Sequence, residues 1–352
     1  MTRHTCTLIF ISAFILFNTN LAYAGKFNES DLWKTECIGR YQIGVPSDVE
    51  LAVGRFGISA RPSFSDGQPA YFSQLDYLGE IAIFSIASES DFIKFKNNNV
   101  HSLEKMRKEF LDSGDEKKQK WGREMKGLAY DTPTLFGWDG DDRYPSINFL
   151  LNKKIISFGI NNYADVDKAL NKKHFNAFLN GFRPRSLYEL PKQPGVCIPY
   201  SFIADDGTAP RNIAVTMRLI DHPDVEIFFQ DSSYQLSPGE HSDSKQEILL
   251  FLDQYARKQK YVDTGFWGTH SIQMSGQKGR GNFFTIARKD DTIDYGYIAS
   301  VKGDFTARTD PPAQMLYVIR TASRAKGAPV SKDEIKDIAE KIMASVKRHP
   351  VQ

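Results

Sequence analysis

The sequence has almost no net charge, and this limits the classes of partner that it predicts. Among its 352 residues, 45 lysines and arginines stand against 43 aspartates and glutamates, which leaves a formal charge of +2. The basic residues are spread along the chain and form no stripe. Proteins that bind nucleic acid concentrate positive charge on one face or along one helix. The composition therefore excludes nucleic acid as an expected partner.

Long hydrophobic runs are also missing, apart from one near the N-terminus. That run covers residues 7–17, follows the basic Arg3, and leads into a polar stretch that ends in Ala-Tyr-Ala at residues 22–24. This order is typical of a secretory signal peptide. The run of about 11 residues is shorter than the roughly 20 that a membrane-spanning helix needs. We therefore predict a signal peptide at residues 1–24 and an exported chain with no stable membrane insertion.

Cysteine is scarce, with three residues in the whole chain. Cys6 lies before the apolar run of the predicted signal peptide, whereas a lipid-modified cysteine would end such a run. Only Cys37 and Cys197 remain after cleavage, in a compartment where disulfides persist. We predict that they pair, which would stabilise the fold by about 4 to 5 kcal/mol because the bond closes a long loop. The alternative is two separate buried thiols.

Motifs for catalysis and for metal binding are absent from the sequence. It contains no G-x-S-x-G, no H-E-x-x-H and no paired C-x-x-C segments. The histidines are scattered, and no two have the spacing of metal ligands on one helix. We therefore predict no catalytic residue, no cofactor and no metal site, and we expect that the protein is not an enzyme.

One glycine-rich segment could present backbone N–H groups to a phosphate. Residues 276–281 read Gly-Gln-Lys-Gly-Arg-Gly, but they lead into a β-type run at residues 282–286. A phosphate-binding loop leads into a helix N-terminus instead. We therefore predict a glycine-rich hairpin turn. Its two cations, Lys278 and Arg280, are candidates for contact with a partner protein.

An acidic turn beside a tryptophan, at residues 138–142, is the second candidate contact. An EF-hand calcium loop beginning at Asp139 would need a glutamate where Leu150 stands, so calcium is excluded. Aromatic anchors dominate the energetics of many protein interfaces. We therefore predict an exposed docking loop, with an ordinary hairpin tip as the alternative. Its contact residues would be Trp138, Asp139, Asp141 and Asp142.

Three prolines at residues 183–194 divide the chain into two parts of equal length. The mature chain is longer than one hydrophobic core usually supports. We therefore predict an N-terminal domain at residues 25–182, a proline-rich linker at 183–194 and a C-terminal domain at 195–352. The two parts also begin alike, with a Cys-Ile pair near each start, which indicates a duplicated architecture.

Each half is predicted to run in the order strands, helix, strands, helix. The strands are predicted at residues 37–45, 50–59, 78–88, 123–130, 146–151, 155–160, 213–220, 225–229, 270–275, 283–288, 295–301 and 315–321. The helices are predicted at residues 102–111, 165–181, 244–255 and 331–346, the last two beginning with capping boxes. The predicted fold class is α+β, with two similar domains that each consist of an antiparallel sheet covered by helices.

The two openings carry a family resemblance. Cys-Ile-Gly-Arg-Tyr at residues 37–41, followed by Ile43 and by Val-Pro at residues 45–46, together with the restart at residues 195–198, resembles the type VI secretion phospholipase immunity proteins. The second opening departs from the family's glycine-rich form with Pro-Tyr at residues 199–200. The resemblance spans essentially the whole mature chain. It implies a periplasmic inhibitor that grips a cognate lipase effector between two domains and keeps substrate from the lipase's active site.

Two other classes stay open on the sequence alone. One is a periplasmic enzyme whose site is assembled from distant carboxylates that no motif reveals. The other is a module that binds lipid or glycan on an aromatic platform of Trp121, Trp138 and Trp267. Activity screening would test the first class, and a ligand that copurifies with the protein would favour the second.

Overall fold

The structure is a computed structural model. It describes residues 33–54, 70–75, 79–85, 88–160, 168–207, 211–233, 261–263, 268–304, 310–326 and 329–349. The predicted signal peptide, the predicted helix at residues 244–255 and Trp267 lie outside these residues. The described helices are α1 (Glu89–Leu111), α2 (Glu116–Glu124), α3 (Lys168–Gly181) and α4 (Lys332–Ser345), with a short 3₁₀ helix at Ala322–Arg324.

Twenty strands accompany these helices within the described ranges. The first ten are β1 (Lys34–Ile38), β2 (Tyr41–Val45), β3 (Val49–Gly54), β4 (Ala70–Leu75), β5 (Gly79–Ser85), β6 (Tyr130–Thr132), β7 (Leu135–Trp138), β8 (Ser146–Leu151), β9 (Lys154–Ile160) and β10 (Phe182–Pro184). The second ten are β11 (Gly195–Ile198), β12 (Ser201–Ala204), β13 (Arg211–Leu219), β14 (Val225–Ser232), β15 (Tyr261–Asp263), β16 (His270–Met274), β17 (Gln277–Ala287), β18 (Ile293–Val301), β19 (Ala313–Arg320) and β20 (Lys347–Arg348).

Fourteen of these strands form one antiparallel sheet that passes through both halves of the chain. Its order is β15-β17-β18-β19-β14-β13-β4-β5-β9-β8-β7-β6, with β16 beside β17 and β3 beside β13. Strand β13 connects the strands of the first half to those of the second. Its residue Val215 lies opposite Phe229 of β14 on one side and opposite Val53 of β3 on the other. The predicted α+β fold of antiparallel strands covered by helices is confirmed. The bounds of the two domains stay a prediction, because the sheet itself has no break between the halves.

One hydrophobic cluster on a single face of the sheet draws residues from both halves. The strand residues of this cluster are β-branched or aromatic for the most part, as burial on a pleated surface favours. Fully buried members include Ile81, Ile156, Phe158, Val215, Ile227, Phe229, Leu316 and Val318. Helix α3 covers this face in the first half, where Phe178 stacks on Phe158 with ring centroids 3.8 Å apart.

Helix α4 covers the same face in the second half, and its predicted capping box is confirmed. The Ser331 hydroxyl accepts the Glu334 N–H at 3.3 Å, and the Ser331 N–H donates to the Glu334 carboxylate at 2.8 Å. The residues that recur at helical spacing are buried against the sheet. They are Ile335, Ile338, Ala339 and Ile342.

The two openings of the halves fold as matching hairpins, β1–β2 and β11–β12. In the first, Cys37 lies opposite Gln42, and in the second Cys197 lies opposite Phe202. A third strand joins each hairpin, and it comes from the other half of the chain. Strand β20, which follows α4 in the second half, pairs with β2 of the first hairpin. Strand β10, which follows α3 in the first half, pairs with β12 of the second hairpin. The halves therefore exchange their terminal strands, and β10 lies inside the predicted linker.

Helices α1 and α2 lie on the opposite face of the sheet, in the first half. There Phe92 of α1 contacts Phe136, with ring centroids 5.5 Å apart. The predicted helix at residues 102–111 is only the C-terminal part of α1. The helix begins at a capping box in which the Ser88 N–H donates to the Asp91 carboxylate at 2.9 Å.

The predicted strand at residues 123–130 was wrong, because α2 continues to Glu124 and residues 125–129 belong to no strand. Asp115 caps α2 by accepting the Lys117 N–H at 2.8 Å. The helix is polar on nearly all sides, so no apolar periodicity marks it in the sequence. A strand begins only at Tyr130.

Candidate functional site

The turn at residues 138–142 does not present its tryptophan to solvent. Trp138 is the last residue of β7, is only 4% exposed, and packs in a cluster with Phe92, Phe136 and Ile155. The predicted exposure was therefore wrong, because the ring points from the sheet toward α1. Contact between this turn and a partner protein stays a prediction that depends on its other residues.

The three aspartates of the turn have different environments. Asp142 is 4% exposed, and its carboxylate accepts the backbone N–H groups of Lys126 at 2.5 Å and Tyr144 at 2.9 Å. Burial raises the pKa of the Asp142 carboxyl above its usual value. Asp139 and Asp141 are partly exposed, and Asp141 pairs with Lys172 of α3 at 2.5 Å. Only these two aspartates are open to a partner.

A cavity of about 80 Å³ lies between α1, the segment that follows α2, and this turn. We call it the α1 pocket. Trp138 and Asp142 line it from the sheet side, so the two buried members of the predicted docking loop form one concave site. Leu103 and Arg107 line it from α1. No local pattern in the sequence indicates this pocket, since its two sides come from distant segments.

The proposed aromatic platform is not assembled within the described residues. The ring of Trp121 is covered by the Arg143 guanidinium, 4.5 Å from its centroid, and by Phe110, whose centroid lies 5.8 Å away. Trp138 is buried, as described above. Neither indole therefore offers a free face for stacking with a sugar ring.

The glycine-rich segment forms a hairpin between β16 and β17, as predicted. The turn is short, at Ser275 and Gly276, which have φ values of 49° and 82°. Lys278 and Arg280 lie on β17 itself and are exposed. The predicted strand at 283–288 therefore begins earlier than expected, because the glycines are accommodated in the strand.

The two candidate surfaces lie near opposite ends of the fourteen-stranded sheet. Trp138 is on β7, next to one end, and Lys278 and Arg280 are on β17, next to the other. Following opposed residues from strand to strand places Trp138 and Arg280 on the same face, opposite the main core. The structure does not bring the two sets into contact.

The strongest cluster of buried polar groups joins the two halves, and we call it the seam. Its residues are Glu36, Cys37, Gly39, Arg40, Arg185, Cys197, Asp205 and Asp231. The predicted disulfide between Cys37 and Cys197 is confirmed, with Cα atoms 5.6 Å apart. Gly39 and Cys197 also exchange two backbone hydrogen bonds of 2.8 Å each. The two opening hairpins are thus fixed to each other.

The Gly-Arg pair of the first opening docks that hairpin onto the second half. Gly39 has a φ of 59°, and a Cβ atom there would lie 2.3 Å from the Asp231 carboxylate. The Arg40 N–H donates to the same carboxylate at 2.9 Å, and its guanidinium makes two 2.7 Å bonds to Asp205. The motif that carries the family resemblance therefore has a structural role in the seam.

The predicted linker is anchored to the first half by a second buried ion pair. Arg185 and Glu36 are fully buried and pair at 2.5 Å, and Glu36 also accepts the Tyr188 N–H at 2.7 Å. The Tyr188 hydroxyl accepts the Val49 N–H at 3.0 Å on the edge of β3. Burial raises the pKa of Tyr188 to about 12. This segment is a packed part of the fold.

The described residues contain no group of three or more histidine, cysteine, aspartate or glutamate side chains placed to hold a metal ion. None of their helices is both long enough and apolar enough to span a bilayer.

Comparison with known sequences gives one family match. Residues 189–350 match the family described as "Tle cognate immunity protein 4 C-terminal domain". This range covers the second half of the chain, including β11, β12 and α4. No curated protein sequence matches the chain.

Solved structures match over nearly the whole chain. The immunity protein TplEi of the type VI secretion system of Pseudomonas aeruginosa, complexed with "L" peptide, has a TM-score of 0.54 and 14% identity. The match covers 91% of this chain and 99% of that one. The apo form of TplEi gives a TM-score of 0.53 at 14% identity, and "The crystal structure of Tle4-Tli4 complex" gives 0.53 at 15% identity, each covering 91% of this chain and 98% of the other. At such low identity these matches establish the fold alone.

Proposed function

We propose that this chain, whose C-terminal half matches the Tle cognate immunity protein 4 family, binds a cognate type VI secreted phospholipase and blocks it. The observation that carries the proposal is the family match over residues 189–350, and the fold shared with solved structures of type VI immunity proteins supports it. The predicted signal peptide and the disulfide favour action in the periplasm. There the protein would protect its own cell from the lipase.

The seam explains how one chain could hold an enzyme at two places. Buried ion pairs, the disulfide and exchanged strands fix the halves to each other, so the two ends of the sheet keep one geometry. A body that is already rigid loses little conformational entropy when it binds. Each end could contribute an interface of ordinary specific size, about 800 Å² per partner.

The candidate contacts fall on both ends of one face. Asp139 and Asp141 offer negative charge at one end, and Lys278 and Arg280 offer positive charge at the other. Such rim charges act mainly on the rate of encounter and on the choice of partner. We propose them as contact residues that orient the lipase, in place of the aromatic anchor that Trp138 cannot provide.

The proposed action is inhibition by occlusion, with no turnover of a substrate. The test is to express the cognate phospholipase in the periplasm of a host, with and without this protein. We expect survival only with the protein, and a complex that copurifies. Fractionation of the cells should verify that both proteins reach the periplasm.

Charge variants separate contact from folding in the same assay. The double variant Lys278→Glu and Arg280→Glu should weaken the complex, while Lys289→Glu, an exposed lysine on the loop after β17, serves as the control. If neither variant changes protection, these residues are not contacts. If the unchanged protein gives no protection and forms no complex, the immunity proposal is wrong.

A further inference from the structure

The α1 pocket has a buried floor and apolar walls, and the proposed blocking of a lipase does not require such a cavity. Its floor is buried and consists of Met125, Trp138 and Asp142. Its apolar walls come from Val100, Leu103 and Leu128. A cavity needs about 10 to 15 Å³ to hold a single water. The roughly 80 Å³ here exceeds that minimum several times, so the pocket can admit a short organic group.

The floor contains the buried carboxylate of Asp142, which forms no ion pair within 4.0 Å among the described residues, although the charge of the nearby Lys126 acts on it. Asp142 accepts two backbone N–H groups, and a carboxylate has about four acceptor positions, so it retains capacity for another donor. The nearby Lys126 ammonium lies 4.0 Å from Asp139 and forms its ion pair there. A buried charge is costly unless it is paired. A cation that enters the pocket would therefore be stabilised by Asp142.

The mouth of the pocket has the opposite charge. Its exposed residues Glu104, Arg107 and Lys126 comprise two cations and one anion. Arg107 forms no ion pair within the described part of the chain, so its guanidinium can donate to a ligand. The pocket therefore has an acidic and aromatic floor at its inner end and a rim of net positive charge at its mouth.

We propose that the α1 pocket binds the zwitterionic headgroup of an aminophospholipid, of the phosphoethanolamine type. The ammonium lies on the floor, where it donates to Asp142 beside the indole of Trp138, which lines the pocket. The phosphate lies at the rim, where Arg107 donates to its oxygens and Lys126, 4.0 Å from Asp139, adds positive charge nearby. The protein would then hold a headgroup of the membrane on which a phospholipase acts.

The charge order excludes simpler occupants. A lysine or arginine side chain of a partner would add a third cation to a rim that already holds Arg107 and Lys126 against the single anion Glu104. A headgroup with phosphate but no amine would leave Asp142 unpaired. Only a ligand with an inner cation and an outer anion matches both ends of the pocket.

The experiment uses the mature protein without any lipase, so its result is independent of the proposed immunity function. Binding of soluble glycerophosphoethanolamine is measured by calorimetry. Cosedimentation is measured with vesicles of phosphatidylethanolamine and phosphatidylglycerol, and with vesicles of phosphatidylglycerol alone. We expect saturable binding of the soluble headgroup, and at least tenfold tighter binding to vesicles that contain phosphatidylethanolamine.

Three variants assign the binding to the pocket. Asp142→Asn should lower the affinity at least tenfold, and Arg107→Gln at least fivefold. Lys108→Gln, which removes the same charge from an exposed neighbour on α1, should stay within twofold. Arg107 is exposed, so its variant tests the proposal even if Asp142→Asn disturbs the turn.

Several results would overturn the proposal. Equal binding to both kinds of vesicle would show a general attraction to anionic surfaces. Absence of binding to the headgroup and to both vesicles would show an empty pocket. Headgroup binding that neither Asp142→Asn nor Arg107→Gln weakens would place the ligand elsewhere. If Asp142→Asn weakened only a lipase complex, the pocket would be a receptor for a side chain of the lipase.

Discussion

At the seam, Arg40 and Arg185 are buried and each pairs with a carboxylate 165 or 149 residues away in the sequence. Helices α1 and α2, by contrast, form a cap in which α1 buries only Phe92 along its 23 residues. Breaking a buried ion pair is costly because one charge is left without a partner, whereas exposed pairs contribute little. The comparison indicates that the seam sets the geometry of the molecule and that the cap is free to serve binding.

Among the variants that compare the seam with the cap, removal of the disulfide should lower the free energy of unfolding most. Replacing both Cys37 and Cys197 with serine frees a loop with a sequence separation of 160. The chain-entropy model gives a loss of about 4 to 5 kcal/mol in the free energy of unfolding. Denaturant titration of the double variant measures it. A loss under 1 kcal/mol would mean that the exchanged strands and ion pairs hold the halves without the bond.

The buried ion pair of the seam gives the next effect and offers a matched control. Arg185→Met leaves Glu36 buried without a partner, which should cost about 3 to 5 kcal/mol. Arg183→Met removes a partly exposed arginine that pairs with Glu189 at 3.4 Å and lies over the Phe202 ring, and should cost at most about 1 kcal/mol because the pair is open to solvent. Equal costs for the two variants would contradict the distinction between the buried seam and the surface.

Gly39→Ala tests the close approach of the first hairpin to the second half. The new Cβ would meet the Asp231 carboxylate in addition to the strain of a positive φ, and we expect a loss of about 1 to 3 kcal/mol. Gly276→Ala has a φ of 82° with nothing within 4 Å, so it measures backbone strain alone. The two variants should differ. If both variants lose the same free energy of unfolding, the Asp231 side chain moves away from the new methyl group without cost.

A smaller effect of pH on stability should arise beside the seam, at His349. His349 is buried, its Nδ1 lies 3.2 Å from the Gln42 side-chain nitrogen, and burial together with the positive charge of Arg185 lowers its pKa below 6.5. The folded state therefore binds this proton less readily than the unfolded state. The contribution of His349 to stability should be complete above pH 6.5 and should fall as the pH drops below it.

The measurement is the free energy of unfolding between pH 7.5 and 5.5 for the unchanged protein and for His349→Gln. The Gln193 carbonyl favours the protonated form of His349, whereas the positive charge of Arg185 disfavours it. The His349→Gln variant removes both interactions. We expect the slope with pH to be smaller in the variant. An unchanged slope would assign the pH dependence to other groups.

A substitution in the cap should change the free energy of unfolding least. Ile93 of α1 is 57% exposed, and Ile93→Ser should change the free energy of unfolding by less than about 0.5 kcal/mol. Denaturant titration alongside the seam variants provides the comparison. A loss above 1.5 kcal/mol would show that α1 is fixed more firmly than its exposure indicates.

Local patterns in the sequence were enough to predict much of the fold. The capping box at Ser331 and Glu334 identified α4, and alternating apolar residues identified β8, β9 and most strands of the second half. Polar segments were predicted least well. Helix α2 has no apolar period, and three asparagines at residues 97–99 interrupt the pattern of α1, although the Ser88 and Asp91 signal was present.

The candidate site depended on contacts that a local pattern does not encode. Trp138 was predicted to be exposed because it precedes an acidic turn, whereas its position at the end of β7 places it under α1. The partners of Arg40 and Arg185 are distant in sequence, and nothing near either arginine identifies them. The disulfide was predictable because only two cysteines remain after the predicted signal peptide.

The two joined halves are proposed to act as one body that binds and blocks a phospholipase. This is tested by the activity of the cognate phospholipase on mixed micelles as the purified, oxidised mature protein is added. We expect a linear fall to zero activity at one protein per lipase, with a 1:1 complex on gel filtration. Full activity in the presence of excess protein, with no complex, would contradict it.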